Sequence, residues 1–101
     1  MVTVTGTNNN DVLKGTVWAD FIYGYDGNDV LYGYSGNDYI EAGLGNNTVY
    51  AGDGNDSIYG RGGDDVLYGQ AGNDYFFIIS GASVVDGGVG DDEFAIQGGT
   101  I

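Results

Sequence analysis

The stretch GYDGNDVLYGYSGNDYIEAG, residues 24–43, repeats the pattern Gly-x-x-Gly-Asn-Asp after nine residues. In each copy an aliphatic residue, Leu31 or Ile40, follows the last Asp by two places. A period of nine matches neither the face of a helix nor the tight turn of a simple hairpin. The origin of this period therefore decides the fold.

The nine-residue period extends over most of the chain. Cut from Gly6 onward, residues 6–95 divide into ten units of nine residues without an insertion. Such strict internal repetition indicates stacked turns and strands. The eighth place of every unit is apolar, and its residues are Leu13, Ile22, Leu31, Ile40, Val49, Ile58, Leu67, Phe76, Val85 and Phe94.

Within one unit, the first half predicts a turn and the second half predicts a short strand. Gly, Asn and Asp supply the positive φ angles and side-chain hydrogen bonds that turns need. Asp29-Val30-Leu31-Tyr32 then fits a strand of about three residues, in which Leu31 points inward while Val30 and Tyr32 point outward. With no hairpin partner nearby, this strand can pair only by stacking on another coil.

Charge and composition limit the functional classes. The 101 residues carry two basic and fifteen acidic side chains, for a formal net charge of -13. This charge disfavours nucleic acid and anionic membranes as partners and favours a cation. Cys and His are both absent, which excludes thiolate and imidazole metal sites and the usual general base. No apolar run is long enough to span a membrane, so membrane insertion is not expected.

Written as G-G-x-G-x-D-x-U-x, the repeat resembles the calcium-binding nonapeptide of the RTX family. The resemblance covers residues 6–95. It implies an all-β fold, a right-handed parallel β-roll of the β-solenoid type, in which two nonapeptides form each of about five coils. The register continues backwards through Val4, which predicts a bare N-terminal strand at residues 2–5. Residues 96–101 predict a partial terminal turn, so residues 1–101 form a single domain.

The sixth-place side chains are the candidate calcium ligands. If residues two units apart stack at one strand spacing, roughly 4.8 Å, successive carboxylates match the separation of two oxygens on opposite sides of a Ca²⁺ ion. Mg²⁺ demands a tighter octahedron than such a turn offers. The strong candidates are Asp11, Asp20, Asp29, Asp38, Asp56, Asp65, Asp74 and Asp92, and the weaker ones are Asn47 and Ser83.

The two columns of ligands are predicted to differ. The even units carry Asp throughout, whereas the odd units include Asn47, which offers an oxygen without charge, and Ser83. Stronger sites are therefore expected between the even units. Trp18 replaces the usual Gly of the fourth place, which predicts a distorted first even site at Asp20. Turn carbonyls are expected to complete each shell, and the candidates are Gly27, Gly36, Gly45, Gly54, Gly63, Gly72 and Gly90.

Repetition argues against catalysis. Paired carboxylates can form a glycosidase site, but here one setting recurs in unit after unit, whereas a catalytic pair is singular. No enzymatic activity is therefore expected. The resemblance implies export, with folding triggered by calcium outside the cell. We predict a calcium-binding structural module of a secreted or cell-surface protein, with neighbouring domains as its partners.

Two alternatives from other classes stay open at the level of the sequence. One is a self-assembling subunit of an extracellular fibre or surface layer, joined end to end or through outward aromatic residues. The other is a glycan-binding module. Tyr32, Tyr50 and Tyr68 are expected to stack on one sheet, either as a ladder that stabilises the sheet or as a contact stripe for a partner.

Overall fold

A computed structural model of the chain describes residues 2–81 and 83–97, and its regular elements in these residues are all β-strands. The described part of the chain contains no helix that could span a membrane. The strands are β1 (Thr3–Thr5), β2 (Val12–Lys14), β3 (Phe21–Tyr23), β4 (Val30–Tyr32), β5 (Tyr39–Gly43), β6 (Thr48–Tyr50), β7 (Ser57–Arg61), β8 (Val66–Tyr68), β9 (Tyr75–Ile79), β10 (Val84–Asp86) and β11 (Glu93–Gln97).

The strands form two parallel sheets between which the chain alternates. One sheet has the order β1-β3-β5-β7-β9-β11 and the other β10-β8-β6-β4-β2. In the second sheet Leu31 pairs with Val49, so each strand pairs with the strand two units away. The predicted β-solenoid of about five coils, with two nonapeptides in each coil, is confirmed.

The core lies between the two sheets and contains more places of the repeat than predicted. Strands β5, β7 and β9 are five residues long, so the alternation of faces carries the first place of the next unit inward. Ala42 in β5 and Ile78 in β9 occupy this first place and are buried, and Ala51, which directly follows the three-residue β6, is buried at the same place. Among the described residues, the buried apolar side chains are Leu13, Ile22, Leu31, Ile40, Ala42, Val49, Ala51, Ile58, Leu67, Phe76 and Ile78.

The C-terminal end of the solenoid differs from the prediction in detail. Phe94, predicted to point into the core, is 46% exposed and stacks on Phe76 at 5.1 Å between ring centroids. One face of the Phe94 ring is thus covered by Phe76 of the preceding coil. Strand β11 continues through Ile96 to Gln97, so the predicted partial turn does not begin at residue 96. The rest of that predicted turn, residues 98–101, lies outside the described residues.

The predicted tyrosine column forms a stacked ladder on the outer face of the five-stranded sheet. The ring centroids of Tyr32 and Tyr50 are 5.1 Å apart, and those of Tyr50 and Tyr68 are 5.2 Å apart. The ring planes differ by only 10° and 7°. The stacking of this column is thus confirmed, while its use as a contact stripe stays a prediction.

Candidate metal centre

The first six residues of each nonapeptide form a turn, and these turns are numbered 1 to 10 from Gly6. The sixth-place side chains end the turns and point into the solenoid. Asp20, Asp38 and Asp74 are 2% exposed, and Asp29 and Asp56 are 1% exposed. Buried carboxylates are costly unless they are paired with a positive charge or with hydrogen-bond donors, so the partners of each oxygen decide what these turns can hold.

One oxygen of each buried carboxylate binds the preceding coil. The backbone N–H of Asp38 donates to Oδ1 of Asp56 at 2.7 Å, and that of Asp56 donates to Oδ1 of Asp74 at 2.9 Å. The same bond recurs along both columns, always between residues eighteen apart. Oδ1 thus already accepts one backbone hydrogen bond, and the predicted ion between two stacked carboxylates stays a prediction.

A second ladder, not predicted from the sequence, runs along the outside of the turns. The side chain of each fifth-place Asn accepts a hydrogen bond from the backbone N–H of the residue eighteen places later, as from Asn46 to Asn28 at 2.8 Å and from Asn55 to Asn37 at 2.8 Å. The feature of the sequence that could have predicted this ladder was the recurrence of Asn at the fifth place. The fifth and sixth places thus bind coils on opposite sides, which fixes the stacking of the turns.

In five of the buried carboxylates the second oxygen is left without a partner. Oδ2 is buried and makes no hydrogen bond in Asp29, Asp38, Asp56, Asp65 and Asp74. In turn 4, Oδ2 of Asp38 lies only 2.6 Å from the position that a Cβ on Gly33 would take. In turn 4 the glycine at the first place therefore leaves room for this oxygen, which is directed back into its own turn.

Burial raises the pKa of these carboxyl groups because the charged form loses its hydration without gaining a counter-charge. The pKa of Asp38 rises to about 7 and that of Asp56 to about 8. For Asp65 and Asp74 burial raises the pKa to about 6, and the pKa of Asp29 is also raised by burial. Each of these groups thus lacks a nearby positive charge that would stabilise its ionised form.

The fifth turn reveals where the carbonyl groups of a turn point. Nδ2 of Asn47 donates to the carbonyl oxygens of Gly43, Leu44 and Gly45 at 3.2, 3.3 and 3.4 Å. The second, third and fourth places therefore direct their oxygens at the sixth-place side chain. Sequence reasoning predicted only the fourth-place carbonyl.

The backbone of turn 5 recurs in turns 3, 4, 6, 8 and 10. All of them have positive φ at the second and fourth places, for example 65° at Tyr34 and 92° at Gly36 in turn 4. Since these φ angles help to orient the peptide groups between them, we expect the same carbonyls to face the sixth-place side chain in each of these turns. The feature of the sequence that could have predicted positive φ at the second place was glycine there in turns 5, 6 and 10, at Gly43, Gly52 and Gly88.

These turns offer oxygen atoms alone. No group of three or more acidic side chains converges within residues 2–81 and 83–97, so a cation held there takes most of its ligands from carbonyl groups. A set of several carbonyl oxygens and one carboxylate oxygen suits Ca²⁺, which accepts irregular shells of six to eight oxygens. The unpartnered Oδ2 atoms and the converging carbonyls therefore fit a calcium ion.

The fourth-place glycines, predicted as carbonyl ligands, also control the packing of the coils. Gly36 and Gly54 have φ of 92° and 111°. A Cβ on Gly54 would collide with the carbonyl oxygen of Gly36 in the preceding coil. The same approach occurs at Gly45, Gly63, Gly72 and Gly90.

Turns 1 and 2 differ from the others because they cap their own carboxylates. In turn 2 the backbone N–H of Thr16 donates to Oδ2 of Asp20 at 2.7 Å, and the Thr16 hydroxyl donates to the same oxygen at 3.0 Å. Thr7 and Asp11 form the same pair of bonds in turn 1. Trp18, at the fourth place of turn 2, is 69% exposed.

Turn 9 differs in another way. Ser83, a predicted weaker ligand, is buried at 5% exposure, and its hydroxyl makes no hydrogen bond among the described residues. Ile78 stands at the first place of this turn, where most turns have glycine, and is fully buried. In turn 9, an apolar side chain at the first place thus occurs together with the absence of a carboxylate at the sixth place.

Comparison with known proteins identifies the repeat. A search of curated proteins gave no match to the chain. The family model of the RTX calcium-binding nonapeptide repeat (4 copies) matches residues 5–40 and again residues 41–76, more than half of the chain. This family is a structural one that binds Ca²⁺ at multiple sites. The chain belongs to the family of RTX calcium-binding nonapeptide repeats.

Proposed function

We propose that the chain is a module of a secreted protein that folds when it binds Ca²⁺, with ions held in its turns by aspartate Oδ2 atoms and backbone carbonyl oxygens. The single observation that carries this proposal is the set of five buried carboxylate oxygens without a partner, in Asp29, Asp38, Asp56, Asp65 and Asp74. An ion in each turn would supply the positive charge that the chain does not provide.

The proposed ligands fall into groups according to their turns. Turns with positive φ at the second and fourth places hold Asp29, Asp38, Asp56, Asp74 and Asp92, and these are the proposed principal ligands. Asp65 also has a free Oδ2 and is proposed as a further ligand. The capped residues Asp11 and Asp20, together with Asn47 and Ser83, are the weaker candidates.

Calcium binding and folding are coupled in this proposal because a folded turn without an ion buries a carboxylate oxygen that has no partner. Without a cation, charged carboxylates would be buried with one oxygen unpaired, which opposes folding. An ion that binds only the folded turns stabilises them by mass action. Extracellular calcium modules bind with dissociation constants of about 10⁻⁴ to 10⁻³ M. Secretion is typical of proteins with these repeats, and the proposed location is therefore outside the cell.

The test is a calcium titration of the intact chain at pH 7.5, from chelator to about 10 mM, followed by far-UV circular dichroism and light scattering. We expect a cooperative change from coil to β-structure with Ca²⁺ and no change with Mg²⁺ at the same concentrations. A chain that is fully β in chelator and does not respond to Ca²⁺ would refute the proposal. The comparison variant is the triple variant Asp38→Asn, Asp56→Asn, Asp74→Asn, in which three turns lose their anionic ligand, so it should show a smaller response to Ca²⁺ than the wild-type chain.

The tyrosine ladder supports self-association as a second candidate function. Its three rings are nearly parallel and are only half-buried on a sheet face, and a flat aromatic stripe of this kind can bury area against a second copy. Light scattering in saturating calcium tests this candidate. Assemblies that grow with protein concentration and disappear in Tyr50→Ser would support it, and a monomer at every concentration would exclude it.

A further inference from the structure

The side chain of Asn47 fills the space in turn 5 where the equivalent turns have only oxygen atoms. It is 1% exposed, and its orientation is determined by hydrogen bonding. The backbone N–H of Asp29 donates a hydrogen bond to Oδ1 at 2.8 Å. Only the oxygen of the amide can accept this bond. Nδ2 must therefore face the turn, where it meets the carbonyl oxygens of Gly43, Leu44 and Gly45.

Turn 6 is the closest match to turn 5 in both sequence and backbone. The two read AGLGNN, residues 42–47, and AGDGND, residues 51–56. The φ angles at the second and fourth places are 81° and 95° in turn 5, and 89° and 111° in turn 6. Ala42 and Ala51 occupy the first place and are both fully buried. The main inward difference between the turns is therefore the amide of Asn47 against the carboxylate of Asp56.

This difference reverses the electrostatics of the turn. In turn 6 the sixth-place side chain ends in Oδ2, which is buried without a partner. In turn 5 the same position holds an NH₂ group with two donors and the positive end of the amide dipole. An amide nitrogen has no lone pair to offer a metal ion, and it already binds the three carbonyl groups that a cation would need.

We propose that the amide of Asn47 takes the place of a cation in turn 5, so that this turn binds no Ca²⁺ and the single substitution Asn47→Asp creates an additional calcium site. The inference rests on the proposed calcium binding of the equivalent turns. Ala at the first place is no obstacle, because turn 6 already combines Ala51 with Asp56. The new carboxylate also keeps an oxygen for the N–H of Asp29.

The experiment counts the calcium ions bound to the full chain. Wild type, Asn47→Asp, Asp56→Asn and Asn46→Asp are compared by isothermal titration calorimetry and by native mass spectrometry in saturating Ca²⁺. Asn47→Asp is expected to bind one more ion than wild type, and Asp56→Asn one fewer. Asn46→Asp is the matched control, because it adds the same charge at the neighbouring exposed place, which is already Asp in two units, at Asp64 and Asp91. It should leave the number of ions unchanged.

The possible outcomes separate this inference from the function on which it rests. If wild type binds calcium but Asn47→Asp binds no additional ion, the inference is overturned while calcium binding stands. If Asn46→Asp gains an ion as well, charge alone explains the gain and the inference is again overturned. If Asn47→Asp does not fold, Asp56→Asn decides, because the amide should then close turn 6 and remove one ion. If wild type binds no calcium, both proposals are wrong.

Discussion

Turns 2 and 4 stack on each other and carry the same aspartate, yet they satisfy it in different ways. The carboxylates of Asp20 and Asp38 are equally buried at 2% exposure. In turn 2, the N–H and hydroxyl of Thr16 bind Oδ2 of Asp20. In turn 4, Tyr34 has a φ of 65° at the second place, and Oδ2 of Asp38 has no partner.

This difference shows that the residue at the second place changes what a turn requires. In turn 2, Thr16 directs its N–H and its hydroxyl at the carboxylate and closes the turn from within. In turn 4, the positive φ of Tyr34 turns its peptide group over, and no donor of the turn binds Oδ2 of Asp38. Turn 7 shows that φ is not the whole cause, because Arg61 has no positive φ and Oδ2 of Asp65 is still without a partner. The aspartate alone, which is the obvious feature of the sequence, does not distinguish the two kinds of turn.

The largest expected effect is that of pH on the calcium-free chain. The buried carboxyl groups of Asp38, Asp56, Asp65 and Asp74 have folded pKa values of about 6 to about 8, above the ordinary value of 3.8. The folded state therefore binds more protons than the unfolded state, and stability should be lost as pH rises from about 4 to about 8. In chelator we expect more β-structure by circular dichroism at pH 5 than at pH 8.

The double variant Asp38→Asn, Asp56→Asn sharpens this pH test. It removes the two carboxyl groups with the highest pKa values and should flatten the profile between pH 6 and 8. A wild-type chain whose β-content in chelator does not depend on pH, or rises with pH, would contradict the expectation and would mean that the turns lower the cost of their carboxylates in some other way.

The next effect in size concerns the fourth place, which also differs between the two kinds of turn. Gly54→Ala should destabilise the calcium-loaded protein by about 3 kcal/mol, because φ of 111° is strained for any residue with a Cβ and the new methyl group would collide with the carbonyl of Gly36. Thermal unfolding in saturating Ca²⁺ measures the loss.

The matched control for Gly54→Ala is Trp18→Ala in turn 2. Trp18 occupies the same place of the repeat but is 69% exposed, and its turn already accepts a side chain there. Its removal should change stability by less than about 0.5 kcal/mol. Equal losses from the two substitutions would show that the two kinds of turn do not differ in this respect.

A smaller effect is expected from removing one carboxylate. Asp38→Asn should lower the number of bound ions by one, because the anionic ligand of turn 4 is lost. Asp20→Asn should leave the number of ions unchanged and cost about 1 kcal/mol, because the hydrogen bonds from Thr16 are lost instead. If Asp20→Asn also loses an ion, turn 2 binds calcium in spite of its cap.

The smallest effect is that of the threonine hydroxyl. Thr16→Val keeps the N–H bond to Asp20 and removes the hydroxyl bond of 3.0 Å, which should cost about 1 kcal/mol. For a domain of this size, the melting temperature would fall by roughly 4 to 8 °C. Thr48→Val, at an outward place of β6, is the control. A similar fall in both variants would argue that the hydroxyl of Thr16 has no special part in the cap.

The sequence by itself determined the period, the fold and the kind of ligand. Alternation along a strand is a local property, so Leu31 and Ile40 could be placed inside from their position in the unit. The predicted solenoid is confirmed by the pairing of Leu31 with Val49. Carboxylates repeated in a chain without Cys or His pointed to a hard cation, and the family match agrees with calcium.

Only the tertiary structure decided which oxygens are free. Oδ1 of Asp56 is taken by the N–H of Asp38, eighteen residues away, and no local pattern of the sequence contains that bond. The cap by Thr16 and the amide of Asn47 likewise depend on how peptide groups turn, which is set by φ angles within stacked coils. The sequence names the ligand residues, but the contacts between coils determine which of their atoms remain for a metal ion.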